Sequence, residues 1–294
     1  MQIWTMLLCR TRIFLPMTMH FNKFVTFSTF LALLGGLIPI AAAQTTGPEK
    51  GWLILHGGGL VSKEVQERFV ALAGGPDSNF VLIPTAMSDE ELAAFGFFRW
   101  QGTGWAKSWG IKHVTMLHAS DKADGNSDHF IDALRKASGV WILGGRQWRL
   151  ADVYLDTAVE REIKELLARG GVVGGSSAGA TIQGSFLVRG DPKGNEIMMS
   201  PSHERGFGLL SNSAIDQHLN TRGREHDLVR VIEKHPELLG VGIDEGAAIV
   251  VHDSSFTVRG GRVAIYDGKQ HGGAYYYFLS PGQVFNLKER ILVK

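Results

Sequence analysis

Short apolar runs recur along the chain, each closed by glycine, proline or a polar cluster. Trp52–Leu55 runs into His56-Gly57-Gly58-Gly59 and predicts a strand ending in a turn. Ser62 then suits a helix N-cap, and Val65, Phe69 and Leu72 share one face of a helix reaching Ala73. Phe80–Ile83 predicts a second strand, Ser88-Asp89-Glu90-Glu91 a helix start and Val114–Leu117 a third strand. Phe130, Leu134 and Ala137 align on a helix over 128–137. Val140–Leu143 ends in Gly144-Gly145, Glu160–Ala168 reads as a helix, and Val172-Val173 leads into Gly174-Gly175-Ser176-Ser177-Ala178-Gly179-Ala180. Continuous apolar strands, each followed by glycine and a helix, imply a mostly parallel sheet with helices on both faces. Past about residue 240 the spacing tightens: Leu239–Ile243, Ala247–Val251, Phe256–Arg259 and Val263–Tyr266 predict antiparallel strands added at one edge. No linker or repeat interrupts this α/β pattern, so residues 44–294 are expected to form one domain.

The first forty-three residues follow a different rule. Phe24–Ile40 is apolar, Arg10, Arg12 and Lys23 precede it without any acid, and Ala41-Ala42-Ala43 follows. That is the build of a secretory signal peptide, cleaved after Ala43 and started from Met1, Met17 or Met19. As a membrane anchor the run falls short of the roughly 20 apolar residues a bilayer needs, and Gly35-Gly36 and Pro39 break it. The expected location is therefore secreted or periplasmic, without stable membrane association after cleavage. Removing three basic residues changes 30 Lys+Arg against 29 Asp+Glu into 27 against 29, from +1 to −2. A nucleic-acid partner, which asks for a clustered basic excess, is not expected. Cys9 is the one cysteine and lies in the leader, so no disulfide or thiol chemistry is available to residues 44–294.

Gly175-Ser176-Ser177-Ala178-Gly179 fits G-x-S-x-G, in which serine sits on a sharp strand-to-helix turn with its Oγ raised above the sheet. The next N–H, that of Ala178, faces the same place and can meet an oxyanion. Ser176 lacks the flanking glycines and reads as a residue that packs or bonds locally. A serine nucleophile needs a base, and the base needs an orienting carboxylate. His218 lies in the polar cluster Asp216-Gln217-His218-Leu219-Asn220-Thr221-Arg222-Gly223-Arg224, before a helix expected to start near Arg224. Asp244-Glu245 closes the apolar run Leu239–Ile243, where ligands of open α/β sheets bind. His235-Pro236 reads as a helix end and His252-Asp253 as a hairpin tip. No H-E-x-x-H or cysteine pair suggests a metal, and the acidic stretch 121–128 lacks EF-hand spacing, so neither metal nor cofactor is expected.

His56-Gly57-Gly58-Gly59 mimics the oxyanion motif of lipases and esterases, but the candidates here run Ser177, His218, Glu245, whereas that fold places the acid before the histidine. Taken together, Gly57–Gly59, Ile142-Leu143-Gly144-Gly145-Arg146-Gln147, Gly174–Ala180, Asp216-Gln217-His218, Arg222-Gly223-Arg224 and Gly242-Ile243-Asp244-Glu245 resemble the cyanophycinase and dipeptidase E family of serine peptidases. That resemblance implies a fold like class I glutamine amidotransferases. It also implies Ser177 as nucleophile, His218 as base, Glu245 as its support, and Gly145 and Ala178 as oxyanion donors. Gln147, Asp216, Gln217, Arg222 and Arg224 match positions that hold a β-Asp-Arg unit in cyanophycinases, with Asp216 suited to a guanidinium and the arginines to a carboxylate. Arg146 and Asp227 depart from that pattern: an acid or amide and a third arginine are usual there. The expectation is an exported serine peptidase cutting an aspartyl or β-aspartyl bond, with cyanophycin as one candidate substrate. An esterase with the same triad and a non-catalytic exported binding protein are the competing readings. A homodimer is the oligomer considered.

Overall fold

The computed structural model describes residues 44–96 and 102–293. The expected signal peptide lies outside the described residues. The unit Ala41–Lys294 is built on two sheets.

Nine strands form the first sheet, in the order β14-β13-β10-β9-β1-β5-β4-β2-β3. Its centre is β1 (Trp52–His56), parallel to β5 (Val172–Ser176) and antiparallel to β9 (Ala248–His252). The parallel half continues through β4 (Gly139–Ile142), β2 (Asn79–Ile83) and β3 (His113–Met116). β10 (Ser255–Arg259), β13 (Val284–Asn286) and β14 (Ile291–Leu292) extend the other half antiparallel.

The alternation of side chains explains why these strands read as unbroken apolar runs. Leu53, Leu55, Val81, Ile83, Val140 and Ile142 face one core, whereas Ile54, Phe80, Leu82 and Trp141 face another. The first core is covered by α4 (Asp128–Lys136) through Phe130 and Leu134, and by α6 (Ala158–Ala168) through Val159, Ile163 and Leu166. α1 (Lys63–Leu72) covers the second through Val65 and Phe69. Each of these fully buried side chains contributes roughly 1.5–3 kcal/mol by leaving water. Ser62 Oγ caps α1 by accepting the Val65 N–H. Ser88 and Glu91 form a reciprocal capping box at α2 (Asp89–Ala94).

The second sheet, in the order β12-β11-β8-β7-β6, departs from the expectation of a single extended edge. β8 (Leu239–Ile243) pairs parallel with β7 (Leu210–Gln217) and antiparallel with β11 (Val263–Tyr266), and β12 (Tyr277–Leu279) follows β11. β6 (Gly184–Phe186) closes the other end beside β7. Of the four strands expected at the edge, only those beginning at 248 and 255 join the first sheet; β8 and β11 join the second, where β7 is the parallel partner of β8. The sequence of β7, Leu-Ser-Asn-Ser-Ala-Ile-Asp-Gln, carries too many polar residues to read as a buried strand, yet its last five residues are all buried. α8 (Asp227–Lys234) starts three residues after Arg224 and packs Leu228, Val231 and Ile232 on this sheet. Among the described residues no helix is long and apolar enough to cross a membrane.

Candidate active site

The carboxyl ends of β1, β4, β5, β7 and β8 meet at one place. At the end of β5 the backbone turns through Ser177 into α7 (Ala178–Thr181), with Ser177 at φ 55°, ψ −117°. This is the strained conformation of a serine lifted onto a tight turn. Gly179 must lack a side chain there, since a Cβ would stand 2.1 Å from the Ile142 carbonyl oxygen. The Ser177 N–H is tied to the His56 carbonyl at 2.9 Å.

Ser177 Oγ lies 2.9 Å from His218 Nε2, and His218 Nδ1 lies 2.5 Å from Glu245 Oε1. The carboxylate accepts the Nδ1–H, so Nε2 is the nitrogen left to accept the serine proton. His218 is buried, and burial holds its pKa below the ordinary 6.5. Arg222 and Arg224 push the same way, opposed by the Glu245 hydrogen bond. The imidazole is thus neutral and basic near neutral pH. Gly145 follows β4 and Ala178 opens α7, whose first-turn N–H groups have no helical acceptor. A Cβ on Gly144 would stand 3.5 Å from Ser177 Oγ, so the β4 turn runs directly beside the nucleophile.

The turn after β1 backs the whole relay. The Gly57 carbonyl accepts the His218 N–H at 2.9 Å, and the Gly58 carbonyl accepts the Gly246 N–H at 3.0 Å. A Cβ on Gly58, which has φ +127°, would stand 2.2 Å from His218 Cε1. His56 is fully buried, and its Nδ1 lies 3.1 Å from Ser176 Oγ and 3.3 Å from the Gly58 N–H. Burial, then the neighbouring His218, brings its pKa down to about 4 against the pull of Glu245. Ser176 is therefore bonded to His56 across β1 and β5 and takes no part in the Ser177–His218–Glu245 relay. The role of His56 is hidden in sequence, where it reads only as the front of a glycine turn.

The five residues expected at the substrate divide sharply. Arg222 is exposed, and Gln217 and Arg222 line a cleft of about 820 Å³ that also contains Ser177 and His218. Arg224 is buried behind them and donates to the Gln217 carbonyl at 3.1 Å. Gln147 is buried at the start of α5 (Gln147–Tyr154), with its Nε2 on the Val188 carbonyl at 3.0 Å. Asp216 is 0% exposed and already faces a guanidinium, that of Arg189, at 2.7 and 2.8 Å. Its carboxylate cannot turn to the cleft without abandoning this pair. Arg189, 1% exposed, also donates to Asp227 Oδ2 at 2.6 Å. The two departures noted in the sequence have structural partners: Asp227 neutralises Arg189, and Arg146 donates to the Asp191 carbonyl at 2.8 Å. Arg189 sits in Leu-Val-Arg-Gly-Asp, which carries no mark of a buried ion pair, and its partner Asp216 lies in a β7 already rich in polar residues. Among the described residues no group of three or more His, Cys, Asp or Glu could hold a metal.

The sequence model of peptidase family S51 matches residues 53–259, which span every strand and turn of this site. The chain belongs to peptidase family S51. It is accordingly a serine-type peptidase. It is 28% identical over 213 residues to the cyanophycinase of Geminocystis herdmanii, covering 70% of this chain and 76% of that one. With the cyanophycinase of Trichormus variabilis it shares 30% identity over 242 residues, 78% of each chain. Among solved structures, a peptidase from an acI-B1 actinobacterium superposes with a TM-score of 0.64 at 22% identity, covering 82% of this chain and 98% of that one. A candidate peptidase E protein from Listeria monocytogenes EGD-e gives 0.51 at 19% identity, with 71% and 98% covered. At such identities the structures speak for the fold alone.

Proposed function

We propose that this S51 peptidase is an exported hydrolase of the amide bond following an aspartyl or β-aspartyl residue. The observation that carries the reading is the Ser177–His218–Glu245 relay opening into a cleft beside Arg222, a cation without a side-chain partner among the described residues. The substrate carbonyl sits against Ser177, and a nearby substrate carboxylate is drawn to Arg222. Ser177 Oγ attacks the carbonyl carbon while His218 Nε2 takes its proton. The N–H groups of Gly145 and Ala178 hold the oxyanion. Glu245 stabilises the imidazolium, which then returns the proton to the leaving amine as the C–N bond breaks. Water attacks the resulting ester with His218 again as base, and the aspartyl carboxylate departs.

The names of the curated relatives support this bond class, and the apolar run Phe24–Ile40 with Ala41-Ala42-Ala43 supports export. Incubation with cyanophycin and with α- and β-aspartyl dipeptides, read by mass spectrometry, tests the bond. Release of the residue after aspartate is the expected result. Turnover of p-nitrophenyl esters alone would favour an esterase, and failure of a serine-reactive phosphonate to label Ser177 would remove the enzyme reading. Amino-terminal sequencing of the protein from the periplasm or medium tests export and should begin at Gln44.

A further inference from the structure

The catalytic cleft has two unlike sides. One carries Gln217 and Arg222; the other is apolar and aromatic. α3 (Thr103–Ser108) and the residue that caps it place Trp105 and Trp109 with ring centroids 4.7 Å apart. Trp109 meets Trp141 edge-on at 4.6 Å, and Trp141, fully buried on β4, is braced in turn by Phe69 of α1 at 5.1 Å. The wall is therefore anchored in the core on the α1 side of the sheet. At its mouth Leu60 is 88% exposed and Phe95 70% exposed, and both line the same cleft. A large apolar side chain left in water beside a catalytic serine gains free energy only when something apolar covers it.

Charge decides what that cover is. A guanidinium can also stack on indoles, but a bound cation here would lie in a cleft whose lining already carries Arg146 and Arg222. The acid that lines it, Glu91, is held by the Ser88 N–H at 2.6 Å and Arg149 at 3.0 Å. The nearby Asp216 is closed off by Arg189. The charge of Glu91 is thus already paired with Arg149 through Oε2, which leaves a substrate arginine facing a lining whose other charges are Arg146 and Arg222. The geometry points to a substrate whose aspartyl unit is followed by a bulky apolar or aromatic residue, its side chain lying on Trp105 and Trp109 between Leu60 and Phe95. This inference deepens the peptidase reading and rests on it.

The test is kcat/KM on β-Asp-Phe, β-Asp-Leu, β-Asp-Ala and β-Asp-Arg, with the α-linked set in parallel. Phe and Leu should exceed Ala and Arg by roughly 10–100-fold, the range that burying one large apolar side chain commands. Trp105→Ala should erase most of that gap through KM or kcat/KM. Leu60→Ser with Phe95→Ser should narrow it, and because both residues are exposed the double variant folds whether or not Trp105→Ala does. Phosphonate labelling of Ser177 is run on every variant. Labelled enzyme that prefers β-Asp-Arg, or whose preference is untouched by these substitutions, overturns the apolar subsite and leaves the peptidase standing. Unlabelled wild-type enzyme overturns both.

Discussion

Replacing Arg189 with methionine isolates what the buried ion pair does beneath the site. The guanidinium is 1% exposed and makes two hydrogen bonds to the fully buried Asp216, at 2.7 and 2.8 Å, and one to Asp227 at 2.6 Å. Methionine fills most of the volume but strands the Asp216 carboxylate in the core. Removing one partner of such a pair costs about 3–5 kcal/mol, because the other charge stays buried and unpaired. For a protein of this size each kcal/mol moves Tm by roughly 2–4 °C, so thermal unfolding should fall by roughly 6–20 °C. Combining Arg189→Met with Asp216→Asn removes the stranded charge while a side-chain oxygen can still accept the Gln217 N–H that Asp216 holds at 2.9 Å. The double variant should therefore recover at least half of the loss. The double-mutant cycle is read by urea and thermal unfolding at pH 7. A single-variant loss below about 1 kcal/mol, or a double variant no more stable than Arg189→Met, would refute the account of Asp216 as a carboxylate sealed by its own chain.

Four further outcomes are expected. Ser177→Ala should lower kcat by at least about 10⁴-fold with Tm essentially unchanged, and Glu245→Gln by about 10²–10⁴-fold, both measured on the best dipeptide. The acid limb of kcat/KM should lie below pH 6.5, since burial and the two arginines lower the His218 pKa and activity is lost only when Nε2 protonates. Removing the Arg222 charge should move that limb to higher pH. Gly58→Ala, whose Cβ would stand 2.2 Å from His218 Cε1, should slow phosphonate labelling of Ser177 by more than tenfold, whereas equal rates would show that the imidazole has room. His56 is neutral in the fold with a pKa near 4, against 6.5 when unfolded, so the unfolded chain binds the extra proton. Its contribution is complete above pH 6.5 and lost as pH falls toward 4, about 3 kcal/mol in all. His56→Gln should flatten that part of the stability profile.

The first half of the fold was legible because its physics is local. Strands buried on both faces read as apolar runs, and Ser62 and Ser88 announce their helices by capping. The nucleophile was legible for a related reason: a strained turn passing close under Ile142 admits only small residues around Ser177, and that constraint is written as glycine. The second sheet was harder to see. β7 is buried yet polar, because Ser213 bonds back to the Leu210 carbonyl at 2.8 Å and Asp216 is neutralised by Arg189, twenty-seven residues away. Polar satisfaction at that distance leaves no periodic trace. The same limit hid the committed state of Asp216, whose neighbours in sequence suggested a substrate contact. The role of His56 leaves no local mark because its distant partner, Ser176, is brought beside it only by the pairing of β1 with β5.

The turn after β1 ties these observations into one mechanical statement. Three successive carbonyls, those of His56, Gly57 and Gly58, accept the N–H groups of Ser177, His218 and Gly246. The last of these follows Glu245 directly. Base and acid follow the paired strands β7 and β8, but the nucleophile follows β5 in the other sheet, so strand pairing alone does not fix its distance to them. A shared backbone turn does, with rigid amide geometry and without side-chain entropy. Preorganisation matters because misplacement of reacting groups by about 1 Å can cost 10²-fold in rate. The neutral His56 completes the device: its Nδ1 accepts the Gly58 N–H and lies within bonding distance of Ser176 Oγ, so the turn is fastened to β5 one residue before the nucleophile. The glycines here mark the joint through which two sheets position one relay, and the tolerance of that joint to substitution should track kcat more closely than it tracks stability.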